Sequence, residues 1–217
     1  MANRNRNEVV QEIQQRRLSA IIRTKDEAVA RDAMTAAVAG GFRVIEFTLT
    51  TPNALRLIER FAANDDLLVG AGTVLTVDQA RDSVRAGACF LVSPVFDPAI
   101  LGAAAKLGVA FIPGAFTPTE MLTAHRAGAD FVKLFPAPAD VVEYVTGILA
   151  PLPELRIFPT AGVSLANCVE VLKAGAAGAG FVRTLFEPGW MAERNYASIE
   201  RRAAEIVDRC RAELGAG

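Results

Sequence analysis

A short phrase recurs along this chain: Ala39-Gly40-Gly41-Phe42, Arg85-Ala86-Gly87-Ala88, Leu107-Gly108-Val109-Ala110, Arg126-Ala127-Gly128-Ala129 and Lys173-Ala174-Gly175-Ala176. Each time a helix-like pattern ends in a glycine and a short apolar run follows. Glycine supplies the left-handed conformation that stops a helix, and an apolar run bounded by such stops reads as a buried strand. The eight runs that qualify are Ala20–Arg23, Val44–Leu49, Leu67–Gly70, Cys89–Ser93, Ala110–Pro113, Phe131–Phe135, Arg156–Pro159 and Gly178–Val182. Strands that alternate with helices run parallel, with the helices as crossovers.

The helical segments between them include Lys25–Ala39, Pro52–Ala63, Asp78–Arg85, Pro118–Arg126 and Leu165–Lys173. Thr51, Thr117 and Ser164 stand where helix N-caps are expected, the first two just ahead of a proline. Gln11–Arg17 predicts an extra N-terminal helix and Ala192–Leu214 a long closing one. Eight strand–helix units close as an α/β (β/α)8 TIM barrel, one domain over residues 1–217. An open doubly wound sheet would place a glycine-rich fingerprint at the first helix, and Arg23-Thr24-Lys25-Asp26 is nothing like one.

Composition narrows the chemistry. Hydrophobic residues make up 52% of the chain, enough for a large core, and the net charge of −1 argues against nucleic acid as a partner. Cys89, Cys168 and Cys210 are scattered and odd in number, which fits reduced thiols and neither a disulfide framework nor a zinc site. The single histidine, His125, makes a histidine-built metal site or hydrolase improbable. Residues Met1–Arg17 are polar, and no apolar stretch reaches membrane-spanning length, so a cytoplasmic protein is expected.

Lys133 breaks the apolar run Phe131-Val132-Lys133-Leu134-Phe135-Pro136. In a buried strand its ammonium would lose solvation, and desolvation can lower a lysine pKa by about 3–5 units. A neutral amine is a nucleophile whose natural electrophile is a carbonyl. An edge strand that shows its lysine to solvent is the structural alternative.

Active sites of barrels lie at the C-terminal strand ends, and unusual polar residues gather there: Arg23, Glu46, Thr48 and Thr50, Thr73, Ser93-Pro94, Lys133, and Pro159-Thr160-Ala161-Gly162. Period two sends Ile45, Phe47 and Leu49 toward the helices and Glu46, Thr48 and Thr50 inward. On the sixth strand Phe131, Lys133 and Phe135 share a face. Strands two and six are both even-numbered, so Glu46 and Lys133 can meet in one interior layer. Such a pair is either a structural ion pair or a nucleophile with its acid/base. Gly162 and Gly180 are open between close packing and an anion site built from backbone N–H groups; Gly72 favours packing, with Thr73 supplying a hydroxyl.

On these residues the chain resembles the class I aldolases that cleave 2-keto-3-deoxy-6-phosphogluconate (KDPG) and 4-hydroxy-2-oxoglutarate (KHG). The matching segments are Ala20-Ile21-Ile22-Arg23, Glu46-Phe47-Thr48-Leu49-Thr50, Gly70-Ala71-Gly72-Thr73-Val74-Leu75, Val92-Ser93-Pro94, Ile112-Pro113-Gly114, Val132-Lys133-Leu134-Phe135-Pro136-Ala137 and Pro159-Thr160-Ala161-Gly162-Val163. The resemblance implies a barrel, a homotrimer, a small-molecule substrate, and no metal or organic cofactor. It implies Lys133 as Schiff-base lysine and Glu46 as general acid/base. Arg23 and Thr73 would hold the pyruvate end, with Pro94, Phe135 and Thr160 lining the pocket. Many members carry glycine where Ala161 stands, and serine where Phe181 follows Gly180; the resemblance puts both positions at the phosphate end. Some place arginine at Thr50, so Arg23 is expected to carry the carboxylate contact.

The expected reaction is attack of Lys133 on the C2 ketone of a 2-keto-4-hydroxy acid, loss of water to an iminium, and C3–C4 cleavage as Glu46 takes the C4 hydroxyl proton. Pyruvate and an aldehyde leave. An unphosphorylated or galactonate-type 2-keto-3-deoxy acid is the alternative substrate. A sugar-phosphate isomerase and a non-catalytic binding or assembly barrel are the rivals, and neither needs a buried lysine.

Overall fold

The computed structural model describes residues 4–215; Met1–Asn3 and residues 216–217, the ends of the expected single unit, lie outside it. Its strands are β1 (Leu18–Ile22), β2 (Val44–Thr48), β3 (Leu68–Gly72), β4 (Phe90–Val92), β5 (Ala110–Ile112), β6 (Gly114–Ala115), β7 (Val132–Leu134), β8 (Ile157–Pro159) and β9 (Ala179–Phe181). All pairings are parallel. They form a six-stranded sheet in the order β5-β4-β3-β2-β1-β9 and a three-stranded sheet β6-β7-β8. The expectation of eight uninterrupted barrel strands is therefore met only in part. The run expected at Ala110–Pro113 is divided at Pro113, which has no N–H to give a ladder. At this break the Asp130 carboxylate accepts the Phe111 N–H at 2.9 Å and is itself gripped by Arg6.

The helices are α1 (Arg6–Arg16), α2 (Glu27–Ala39), α3 (Ala54–Ala62), α4 (Val77–Arg85), α5 (Pro98–Leu107), α6 (Pro118–Arg126), α7 (Val141–Leu149), α8 (Cys168–Lys173), α9 (Pro188–Ala192) and α10 (Tyr196–Leu214). Thr117 caps α6 in a full capping box with Glu120. Thr51 and Ser164 do not cap. Asn53 precedes α3 in the left-handed conformation, while the Thr51 hydroxyl accepts the Thr24 N–H. Ser164 instead makes a turn that delays α8 to Cys168. The N-terminal helix starts earlier than expected because Asn5 and Glu8 form a capping box. The closing helix is two pieces, separated where Arg194 takes φ 55° and Asn195 caps α10.

Two apolar layers sandwich the strands. Outside, Ala20, Ile22, Ile45, Phe47, Val132 and Leu134 pack on the helices. Inside, Val44, Leu68, Phe90, Val92, Phe131 and Phe158 pack together with Val9, Val10 and Ile13 of α1. The N-terminal helix thus plugs the strand-start end, where each fully buried aliphatic side chain contributes roughly 1.5–3 kcal/mol. Glycines make room for the inner rings: a Cβ on Gly70 would sit 2.2 Å from Phe90, and one on Gly178 2.2 Å from Phe158. With the lower interior filled by hydrocarbon, the polar side chains are confined to the opposite end. Among the described residues no helix is long and apolar enough to cross a membrane.

Candidate active site

Alternation along three strands decides what enters the interior. On β1, Ala20 and Ile22 join the outer layer while Ser19 and Ile21 line a small interior space, leaving Arg23 at its rim. On β2, Glu46 lines the same space and pairs in register with Ile21 and Gly70. Phe131, just before β7, is in the inner cluster, and Lys133 follows two residues later on β7, in register with Gly114 and Phe158.

Glu46 is 2% exposed and Lys133 6%. Burial pushes the Glu46 carboxyl above its usual range, opposed by the charges of Lys133 and Arg23. Burial likewise holds the Lys133 amine below its usual range; Glu46 opposes that shift and Arg23 adds to it. Both shifts favour the uncharged form. The Lys133 Nζ lies 5.1 Å from the centroid of the Phe135 ring. Glu46 Oε1 is buried with no hydrogen-bond partner, and so is Thr160 Oγ1, which borders the same space. The Glu46 carboxyl leans over Gly72, where a Cβ would come within 1.8 Å of Oε1. Gly72 is thus a packing glycine, and what it packs against is the acid.

At the rim, Arg23 is exposed and its Nη2 donates to Thr73 Oγ1 at 3.4 Å. Thr73 has φ 60°, a strained conformation for a β-branched residue and one that aims its hydroxyl back at Arg23. Thr48 is tied down by bonds to the Ile22 carbonyl and the Thr50 and Thr51 hydroxyls, which leaves Thr50 exposed at the edge. Phe135 is 37% exposed, and Pro94 is half-buried with its carbonyl against Gly114. Thr160, Ala161 and Gly162 follow β8 in sequence, Gly162 at φ 74°.

Two expected far-end residues are placed differently. Phe181 is fully buried in the outer layer, edge-on to Phe42 at 5.6 Å, so it is not a pocket residue. Period two explains this: Gly180 turns inward, close to Ile21 and Thr160, which sends Phe181 toward the helices. Gly180 is closely packed against Ile21 and Thr160. Ser19 was not singled out from sequence, although its spacing two before Ile21 and four before Arg23 was the available signal.

Residues 9–202 match the family model described as KDPG and KHG aldolase. The chain belongs to that family. As a member it is an aldolase, a carbon–carbon lyase of 2-keto-3-deoxy acids. It is 38% identical over 181 residues to a probable 2-dehydro-3-deoxy-6-phosphogalactonate aldolase of Rhizobium meliloti, covering 82% of this chain and 85% of that one. It is 39% identical over 139 residues to the KHG/KDPG aldolase of Escherichia coli, covering 63% and 65%. Among solved structures, a native KDPGal structure aligns with TM-score 0.81 and 31% identity over 91% of this chain and 95% of that one. KDPG aldolase from Legionella pneumophila, with pyruvate captured as a covalent carbinolamine, aligns with TM-score 0.80 and 28% identity, covering 92% and 96%. A carbinolamine is the first adduct of an amine with a ketone, the chemistry of a class I aldolase.

Proposed function

We propose that this class I aldolase works through Lys133 and Glu46 in one closed (β/α)8 domain, residues 1–217. The observation that carries the reading is a lysine and a carboxyl group, both buried and both shifted toward neutrality, beneath an arginine–threonine pair. Neutral Lys133 attacks the substrate ketone, whose carboxylate is held by Arg23 and Thr73. Glu46 donates a proton as the carbinolamine loses water, then accepts the C4 hydroxyl proton as C3–C4 breaks. Pro94, Phe135, Thr160 and Thr50 border the substrate. Closure of the two sheets into a barrel is supported by hydrogen bonds across both breaks, Lys133 N–H to the Pro113 carbonyl and Ala177 N–H to the Ile157 carbonyl, each 2.8 Å.

The substrate we favour is a 6-phosphorylated galactonate-type 2-keto-3-deoxy acid, after the two broadly covering relatives that bear that name. With Phe181 out of the pocket, no lost hydroxyl there weakens phosphate binding. The exposed Gly162, and Arg183 two residues past Phe181, would receive the phosphate; Arg183 has no hydrogen bond or ion pair among the described residues. We further propose a cytoplasmic homotrimer. Exposed Leu55, Leu75 and Val95, following the neighbouring strands β2, β3 and β4, support an apolar contact between copies. The deciding experiment is borohydride reduction with labelled pyruvate. Label on the Lys133 peptide is expected; label elsewhere, or none, refutes the assignment. Comparing kcat/KM for both C4 epimers, with and without phosphate, then identifies the acid.

A further inference from the structure

The closing helix α10 holds the loop after β8 through a set of polar contacts. Arg209 donates to the carbonyls of Leu165 at 2.7 Å and Ala166 at 3.3 Å, and also reaches Glu170. Beside this arginine Cys210 donates its S–H to Cys168, the first residue of α8, with the sulfurs 3.5 Å apart. Both residues are buried in the outer layer, away from Lys133 and Glu46, and the lyase reaction makes no use of sulfur. Cys210 also borders a cleft under the start of β1 whose walls carry Phe42, Arg16, Arg17, Arg43 and Arg211. That cleft brings a small oxidant up to the cysteine pair at Cys210.

We propose that Cys168 and Cys210 form an oxidation site, at which a peroxide joins them in a reversible disulfide that staples α10 to α8. The Cys168 sulfur, to which Cys210 donates its S–H, breaks the peroxide O–O bond, and a sulfenic acid on Cys168 and one water result. Cys210 then attacks the Cys168 sulfur, and its proton leaves with the hydroxyl as a second water. Two thiols are oxidised by two electrons and one peroxide is reduced to two waters. A disulfide bond is about 2.05 Å long, so the sulfurs have to close by roughly 1.5 Å, within reach of side-chain rotation. The Cys210 S–H donated to it, outweighing burial and helped by Arg209, holds the Cys168 thiol below its usual range and favours the thiolate that attacks the peroxide; the same bond pushes the Cys210 thiol up until Cys168 is oxidised. Cys89, whose thiol is pushed up to about 11 by burial, is an internal control.

The staple closes a loop of roughly 40 residues, for which a melting-temperature rise on the order of 5–15 °C is expected. The test treats the whole unmodified protein with dilute hydrogen peroxide and maps its peptides by mass. A Cys168–Cys210 cross-link that dithiothreitol reverses, with the rise in melting temperature, supports the proposal. Pyruvate methyl-proton exchange should continue at the untreated rate, because the staple lies outside the catalytic interior. Cys210→Ser should abolish the temperature rise; the peptide map on the unmodified chain decides even if that variant fails to fold. Separate over-oxidised sulfurs, a link through Cys89, or two thiols that stay free would overturn it.

Discussion

Gly72→Ala separates catalysis from folding at a single methyl group. Gly72 ends β3 in register with Thr48 and lies outside the left-handed region, so its backbone accepts alanine. The new Cβ would stand 1.8 Å from Glu46 Oε1 and 2.6 Å from its carboxyl carbon. The oxygen has to withdraw by roughly 1.6 Å to reach ordinary contact at about 3.4 Å. Because the clash is with the far end of a flexible side chain, the fold gives way cheaply, at about 0.5–1.5 kcal/mol for an off-rotamer carboxylate. Catalysis does not, since a displacement of about 1 Å costs on the order of 10²-fold. Gly70→Ala, two residues earlier, is the opposite case. Its Cβ would meet the Phe90 ring at 2.2 Å, and overpacking that rigid ring costs about 1–3 kcal/mol of stability. The assays are pyruvate-coupled cleavage, deuterium exchange of the pyruvate methyl, borohydride trapping and denaturant unfolding. For Gly72→Ala we expect trapping to reach its normal extent but more slowly, near-normal stability, and cleavage and exchange both about 10²-fold slower. Rates within about threefold of the unmodified enzyme, under 1 kcal/mol of barrier, would show that Glu46 does not need its position over Gly72.

Lys133→Met should end both turnover and trapping while leaving the melting temperature equal or higher, because a buried amine no longer has to be kept uncharged; residual trapped label would point to another lysine. Its effect on stability also depends on pH. The folded Lys133 pKa is depressed, so between that value and 10.5 the unfolded chain binds more protons and this residue's contribution rises with pH. Unfolding free energies measured across the alkaline range should lose that slope in Lys133→Met. Glu46→Gln should still form the pyruvate imine but cleave about 10²–10⁴-fold more slowly, and unimpaired methyl exchange would remove Glu46 from proton transfer. Phe181→Ser should cost about 3–5 kcal/mol of stability without raising the kcat/KM ratio of phosphorylated to unphosphorylated substrate; a raised ratio would return Phe181 to the pocket.

Local rules made most of the strand set legible. Glycine stops bounded the apolar runs, and period two assigned Glu46 and Lys133 to the interior because one strand's pattern suffices for that. Where a feature depends on a distant partner, the chain alone was silent. The division at Pro113 is met by Asp130 and Arg6, and nothing near Pro113 in sequence announces either. Phe181 was misread because its position was taken from a resemblance, whereas Gly180 beside it fixes the face. Cys168 and Cys210 look unrelated in sequence because only the packing of α10 on α8 brings them together. Packing at Gly72 was legible, but that its partner is the Glu46 carboxyl could not be read without the direction of that side chain.

The separation of the two buried groups matters as much as their proximity. A close ion pair in a dry interior would stabilise the ammonium and remove the nucleophile, since an opposite charge within about 4–6 Å favours the charged form. Here burial dominates at both groups, and Glu46 Oε1 has no hydrogen-bond partner. Both shifts run toward a free amine and a protonated acid, the pair that the proposed first step uses: the amine would attack, and the acid would supply the proton that lets the carbinolamine hydroxyl leave as water. Arg23 contributes in two ways. It stands at the rim, where a carboxylate can arrive, and its charge disfavours protonation of Lys133. Gly72 completes the arrangement from the opposite wall by letting the Glu46 carboxyl lie over the β3 backbone.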